Sequence, residues 1–382
     1  MIPYGRQNIS DDDIEAVNAV LTSDFLTQGP QVPLFEESIC AVTSAKYAIA
    51  ANSATSVLHL ACLALGVGRG DYVWTSPITF VASANCALYC GASVDFVDVN
   101  KLTGNMCSEG LERKLKQAKA NNCLPKVIIP VHMAGHSCDM QAIGLLAKTY
   151  GVKVIEDASH GIGGSHQGTR IGACQYSNIT VFSFHPVKII TTAEGGVATT
   201  NDALLAESMA QLRSHGIIRD PEEMLRPDEG DWYYEQHSLG FNFRMTELQA
   251  ALGHSQVKRL DSFIDRRNTI VGRYLDAFDG LGLKFVAPLE ESHSSYHLMI
   301  IQLPDELERK AIFDAMRTAG IWVHVHYFPV HLQPYYLKLG FSEGDYPNAE
   351  SFYKHCLTLP LYPDLTFEQQ DYICDTLKGL LS

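Results

Sequence analysis

Val152-Lys-Val-Ile-Glu-Asp-Ala-Ser-His160 is the stretch that decides the fold of this chain. A β-rich run at 152–155 follows a helix-like segment at 139–150 and ends on two carboxylates. The same unit recurs on both sides. Further β-rich runs lie at 47–51, 72–75, 93–97 and 127–131, and then at 179–182 and 196–199. Helix-like segments fall near 55–65, 79–90 and 109–121. Short strands separated by helices of about 10–15 residues predict an α/β fold, a mainly parallel sheet with helices on both faces.

Outside this rhythm the pattern changes. Residues 11–22 read as an amphipathic helix whose first turn, Asp11-Asp12-Asp13, suits a helix N-terminus. The acidic stretch 217–237 reads as a loop or lid. Thr246-Glu-Leu-Gln249 has capping-box spacing and predicts a new helix. Beyond it, helices and a few strands resume with different spacing. The predicted division is a large domain at 1–250 and a smaller α+β domain at 251–382, with the first dozen residues packing on the smaller one.

Composition narrows the classes. The 382 residues are 46% apolar and 19% charged, enough for a large core in a globular enzyme. A formal net charge of −14 without a basic run argues against nucleic acid or an anionic membrane as partner. The ten cysteines include no Cys-x-x-Cys and fit reduced thiols better than a disulfide framework. Met1-Ile-Pro-Tyr-Gly-Arg6 lacks the apolar core of a signal peptide, and no segment reaches transmembrane length, so the chain reads as cytoplasmic.

Four segments carry candidate chemistry. In Thr180-Val-Phe-Ser-Phe-His-Pro-Val-Lys188-Ile-Ile, Lys188 sits among apolar residues and is the one lysine between Lys153 and Lys258. An amine there loses charged-state solvation and becomes a usable nucleophile, although a solvated loop lysine is the commoner outcome. Asn52-Ser-Ala-Thr-Ser56 joins a strand to a helix, where backbone N–H groups favour a phosphate or a plain N-cap. Glu156 and Asp157 end a parallel strand, where such sheets bind ligands, and period alone does not choose between them. An acid there can keep the nitrogen of a bound pyridine ring protonated. Phe80 could stack on a flat ring or sit in the core.

The histidine groups are weak metal signals. His132-Met-Ala-Gly-His136 follows a strand and contains Gly, so its rings need not share a face. His324-Val-His326 would share one face of a strand, but no carboxylate or cysteine stands at ligand spacing. Contact with a polar substrate suits them better than zinc, and no metal is expected. Gly66-Val-Gly-Arg-Gly70 lacks dinucleotide-fingerprint spacing and does not follow a strand, which argues against a nicotinamide enzyme.

Together these segments resemble the DegT/DnrJ/EryC1/StrS family of nucleotide-sugar aminotransferases. The likeness covers nearly the whole chain, including 27–30, 52–60, 66–80, 130–140, 182–196 and 240–253. It implies a fold-type I homodimer with shared active sites that uses pyridoxal 5′-phosphate. It further implies that Lys188 is the Schiff-base lysine and that Asp157, not Glu156, pairs with the pyridine nitrogen. The backbone of Ala54 and Thr55, with the Ser183 hydroxyl, matches the phosphate cradle. Phe80 falls where a side chain stacks on the ring, and Asn242 matches a residue reaching the phosphate from the other subunit. His160 stands where many relatives carry Gln, and can still donate to the ring hydroxyl.

Finer details look closest to the branch that aminates the UDP-linked 4-keto sugar of the pseudaminic acid pathway. They are Thr191-Thr-Ala-Glu-Gly-Gly196, Asn52-Ser-Ala-Thr55 and His326-Tyr-Phe-Pro329. Tyr4, Asp24, Phe25, Leu26, Thr27, His324, Val325, His326 and Tyr327 fall at that branch's sugar-nucleotide positions, and His185 could close over the substrate. The implied amino donor is L-glutamate, leaving as 2-oxoglutarate. Amination of another nucleotide keto sugar, of perosamine, bacillosamine or 3-keto type, is the alternative. A sugar dehydratase on the same scaffold would carry histidine in place of Lys188.

Overall fold

Residues 47–200 are organised by a seven-stranded sheet in the computed structural model, which describes residues 1–381. Across the sheet the order is Tyr47–Ala51, Gly196–Thr200, Ile179–Ser183, Lys153–Asp157, Val127–Ile129, Tyr72–Thr75 and Ser93–Phe96. Gly196–Thr200 runs antiparallel to both neighbours, and the other pairings are parallel. Both faces are covered. Helices Ala54–Ala64 and Ala82–Tyr89 pack on one side over Val57, Ala61, Ile129 and Ile155. Helices Ser108–Ala120 and Met140–Tyr150 cover the other over Trp74, Ile128 and Val154.

Several strand ends differ from the sequence reading by a single residue, and two differ by two residues for identifiable reasons. The run predicted at 152–155 extends to Asp157, because Glu156 and Asp157 pair with Thr180 and Val181 despite their polar side chains. The run predicted at 127–131 stops at Ile129, since Pro130 has no N–H for the ladder. Two helices lay outside the predicted set, Gln31–Thr43 and Ala203–Arg213. The acidic 217–237 stretch is closed by a ladder pairing Ile217–Ile218 with Glu235–Gln236. Helix Glu247–Val257 starts as its capping box requires, with the Gln249 N–H donating to Thr246 Oγ1 and the Thr246 N–H donating to Gln249 Oε1.

A separate apolar core forms further along. It gathers helices Leu260–Ala277, Arg309–Thr318 and Phe367–Leu381 around strands Lys284–Phe285, Met299–Gln302 and Cys356–Leu359. The start of the chain lies against it: Ile2 exchanges backbone hydrogen bonds with Gly320 and Trp322, and the Leu361 N–H donates to Tyr4 O. Tyr4 is thereby placed beside the 324–327 segment, facing the carboxyl ends of the large sheet's parallel strands. Among the described residues no helix is long and apolar enough to cross a membrane.

Candidate active site

Between the strand ends and the 324–327 segment lies a cavity of about 520 Å³. Its floor begins where Tyr47–Ala51 hands over to helix Ala54–Ala64. Ser53 caps that helix by accepting the Ser56 N–H at 3.1 Å, and Ser56 Oγ donates to Asn52 Oδ1 at 2.7 Å. Ala54 and Thr55 head the helix, where N–H groups have no acceptor within the helix, and both line the cavity. Gly196 makes this junction possible: a Cβ there would lie 2.5 Å from the Ala54 nitrogen. Ser183, at the end of the strand paired with Gly196, lines the same corner.

Lys188 is carried on the connection between these two antiparallel strands. Hydrogen bonds from Phe184 N to Gly195 O and from Thr192 N to Phe184 O close the connection, and Lys188 N donates to His185 O at 2.8 Å. Ile189 and Ile190 anchor it by entering the core that also holds Phe35 and Phe184. Burial pushes the Lys188 amine down to about 8, with the Asp157 charge opposing the shift. The amine is thus nearly poised at neutral pH, as a nucleophilic lysine must be.

Glu156 and Asp157 are separated by the alternation of the strand. The Glu156 carboxylate meets His132 Nε2 at 2.8 Å and accepts from Ser177 and Thr180, away from the cavity. Asp157 lines the cavity, with its backbone held by Pro130 O and by the His132 N–H. Its Oδ2 accepts from Ser83 Oγ at 2.5 Å and its Oδ1 from the Ser159 N–H at 3.1 Å.

His160 follows at the same edge. Its Nε2 lies 3.2 Å from the Tyr327 hydroxyl, while its buried Nδ1 has no partner. Burial, then the nearby Lys188 and His326, holds its pKa well below the usual histidine range, so the ring is neutral. Phe80 stands at the rim, 59% exposed.

The opposite wall is aromatic and polar. Tyr4 lies 5.1 Å from the His324 ring and 5.4 Å from His326, and the two histidine rings stack at 4.5 Å. His185 and Tyr327 complete the lining. Not every predicted residue arrives here. Asp24, Phe25, Leu26, Thr27 and Asn242 are exposed and lie outside the cavity of their own chain, and Val325 does not line it. Sequence reasoning missed Ser83, Thr79, Ser159 and Glu194. Of these, only the Thr79-x-x-x-Ser83 spacing carries a signal: in the helix read near 79–90 it would put both hydroxyls one turn apart, although the helix itself begins at Ala82.

His132 and His136 are both buried and part company, His136 bonding Ser294 and Val286 O on the far side. Among the described residues no group of three or more His, Cys, Asp or Glu is arranged to hold a metal.

The residues present fit a pyridine phosphate. A helix start could supply N–H groups for the phosphate, Asp157 a carboxylate for the ring nitrogen, and Lys188 an amine for the aldehyde carbon. The unpartnered His160 Nδ1 marks a polar group that a ligand would satisfy.

Comparison with known proteins agrees with this chemistry. The model of the DegT/DnrJ/EryC1/StrS aminotransferase family matches residues 7–378. The spore coat polysaccharide biosynthesis protein SpsC of Bacillus subtilis is 37% identical, over 100% of this chain and 97% of its own length. A UDP-4-amino-4,6-dideoxy-N-acetyl-beta-L-altrosamine transaminase of Campylobacter jejuni is 36% identical, over 100% and 98%. The structure of Helicobacter pylori PseC, an aminotransferase involved in the biosynthesis of pseudoaminic acid, superposes with a TM-score of 0.90 at 32% identity. That match covers 100% of this chain and 99% of PseC. The chain therefore belongs to the DegT/DnrJ/EryC1/StrS aminotransferase family, has the fold-type I architecture and takes pyridoxal phosphate as its cofactor.

Proposed function

We propose that this sugar aminotransferase moves the amino group of L-glutamate to C4 of a UDP-linked 4-keto-6-deoxy-N-acetylhexosamine, a step of pseudaminic acid biosynthesis. The observation that carries the reading is one cavity with Lys188 and Asp157 on its floor and Tyr4, His324, His326 and Tyr327 on its opposite wall. The altrosamine transaminase relative and the His326-Tyr-Phe-Pro329 segment support C4 and UDP.

When bound, pyridoxal phosphate supplies a carbonyl that can hold the amino group and an electron sink for the carbon that loses its proton. Lys188 would hold the cofactor covalently. Its amine, poised near 8, would also take the proton leaving the glutamate α-carbon and deliver one at C4 of the sugar. Asp157 would face the ring nitrogen and His160 the ring hydroxyl. Ala54, Thr55 and Ser183 would hold the phosphate, with Phe80 over one face of the ring. In a homodimer, Asn242 would reach the phosphate of the neighbouring subunit. Asp24, Phe25, Leu26 and Thr27 would serve a substrate site in the same way, being exposed outside their own cavity. His185, His324, Val325 and His326 would serve the sugar nucleotide beside Tyr4 and Tyr327. The two-domain division at 250/251 would put the cofactor floor on the large domain and most of the substrate wall on the small one.

A panel of UDP-, GDP- and dTDP-linked 4-keto and 3-keto sugars, each supplied with glutamate, tests the assignment. The expected result is 2-oxoglutarate release and a 4-amino product with the UDP 4-keto N-acetyl sugar. Preference for a sugar without the N-acetyl group, or for a 3-keto position, would replace the assignment with another member of the same reaction class.

A further inference from the structure

Behind Asp157 lies a pair of hydroxyls that no sequence motif singled out. Ser83 is fully buried in the first turn of helix Ala82–Tyr89, and its Oγ stands 2.5 Å from Asp157 Oδ2. Its Oγ is also 2.7 Å from Thr79 Oγ1, which is buried too, and 3.3 Å from Phe80 O. A carboxylate only accepts hydrogen bonds, so the single Ser83 proton goes to the nearest acceptor, Asp157 Oδ2. Thr79 must then donate to Ser83. The chain of donation runs one way, from Thr79 through Ser83 to Asp157.

Asp157 is bound at both oxygens, Oδ2 by Ser83 and Oδ1 by the Ser159 N–H at 3.1 Å. The two bonds fix the rotation of the carboxyl plane and leave further lone pairs for the cavity side. Thr79 and Ser83 also bracket Phe80, which lines the same cavity, so one turn sets the acid and the rim aromatic together.

We propose that Thr79 and Ser83 are positioning residues: their hydroxyl chain orients the Asp157 carboxylate and thereby its hold on the protonated pyridine nitrogen of the cofactor. The inference rests on the cofactor placement given above. Neither residue touches the reacting atoms. Their effect passes through Asp157 to the strength of the electron sink.

Holoenzyme loaded with pyridoxal phosphate labelled with ¹⁵N in the ring tests this, because the ¹⁵N chemical shift reports protonation of that nitrogen. Ser83→Ala should move the shift toward the unprotonated value. It should also lower kcat by about tenfold to a hundredfold, the scale of one lost charged hydrogen bond, with KM for glutamate held within about twofold. Thr79→Val should act in the same direction with a smaller effect, and Thr79→Ser, which keeps the hydroxyl, should behave as wild type. An unchanged ¹⁵N shift in both Ser83→Ala and Thr79→Val overturns the proposal, whatever happens to activity or Tm. Wild-type protein that takes up no cofactor on Lys188 overturns the placement itself instead.

Discussion

The two walls of the cavity are built by different means. On the floor, each functional group is a short step from a sheet hydrogen bond. Asp157 ends a ladder strand, Ser183 pairs with Gly196, and Ala54 begins a helix one turn after a strand. Lys188 is pinned by the backbone bonds of its own turn and by two buried isoleucines. Across the gap, Tyr4 meets His324 and His326 at 5.1 and 5.4 Å from a segment more than 300 residues away, while His324, His326 and Tyr327 contact one another at 4.5 and 4.8 Å within their own segment. A rigid ladder suits a cofactor that stays. Stacked side chains can be exchanged without disturbing the sheet, which suits the part that chooses a substrate.

The sharpest break in that comparison comes from Lys188→Ala. Turnover should fall by about a thousandfold or more, the range for loss of a group that acts covalently. Borohydride should no longer fix a cofactor-sized mass to the peptide spanning residue 188. Retention of wild-type turnover would remove Lys188 from the chemistry. Next in size is Gly196→Ala. The added Cβ would meet Ala54 N at 2.5 Å and Ala54 Cα at 2.6 Å, and neither is the end of a flexible side chain. Overpacking of about 1–3 kcal/mol at that contact should appear as roughly a 5- to 150-fold rise in the Kd for pyridoxal phosphate, read by fluorescence titration. An unchanged Kd would detach the helix start from phosphate binding.

The pH dependence of cofactor uptake tests the floor in another way. The unprotonated Lys188 amine is the form that attacks an aldehyde, and burial lowers its pKa to about 8 rather than raising it. Uptake by the apoprotein should therefore climb about tenfold per unit of pH below that value and level off above it. A climb that continued past pH 10 would mean an ordinary, solvated lysine, contrary to the burial of this turn.

How much of this was readable beforehand follows the same division. Strand and helix periodicity exposed the sheet, and the strand ends placed Lys188, Asp157 and Asn52–Thr55 within one region. Period alone left Glu156 and Asp157 equal; what separates them is His132, which takes Glu156 away on the other face. Helix Gln31–Thr43 went unseen because apolar Val32, Phe35, Ile39 and Val42 are interrupted by Pro33 and a Glu pair, and Pro30 rather than a Ser or Thr stands at its start. The Ser83 contact with Asp157 joins residues 74 apart, and nothing local in either segment announces the other. The exposed set Asp24, Phe25, Leu26, Thr27 and Asn242 came only from family likeness, and a single chain does not bring them to its own cavity.

The smallest expected effect belongs to the substrate wall. The His324 ring stacks on His326 and faces Tyr4, but the residue is exposed, and among the described residues its side chain hydrogen-bonds only to the backbone of its neighbour Val325. The part of the ring covered by Tyr4 and His326 is desolvated enough to lower its pKa even though the residue as a whole is exposed, so at neutral pH it offers a neutral ring rather than a cation. His324→Ala should then remove about 0.5–1.5 kcal/mol of ring contact, roughly a 2- to 13-fold rise in KM for the sugar nucleotide. The glutamate half of the reaction and the cofactor's absorbance should stay at wild-type values, because among the described residues none on the floor bonds to that ring. His324→Phe, which keeps a flat ring without its nitrogens, separates stacking from hydrogen bonding: recovery of KM points to stacking, and no recovery points to a polar contact with the sugar. A loss shared equally between glutamate and sugar would mean that the two walls are mechanically one, and the division between a fixed floor and an exchangeable wall would fall.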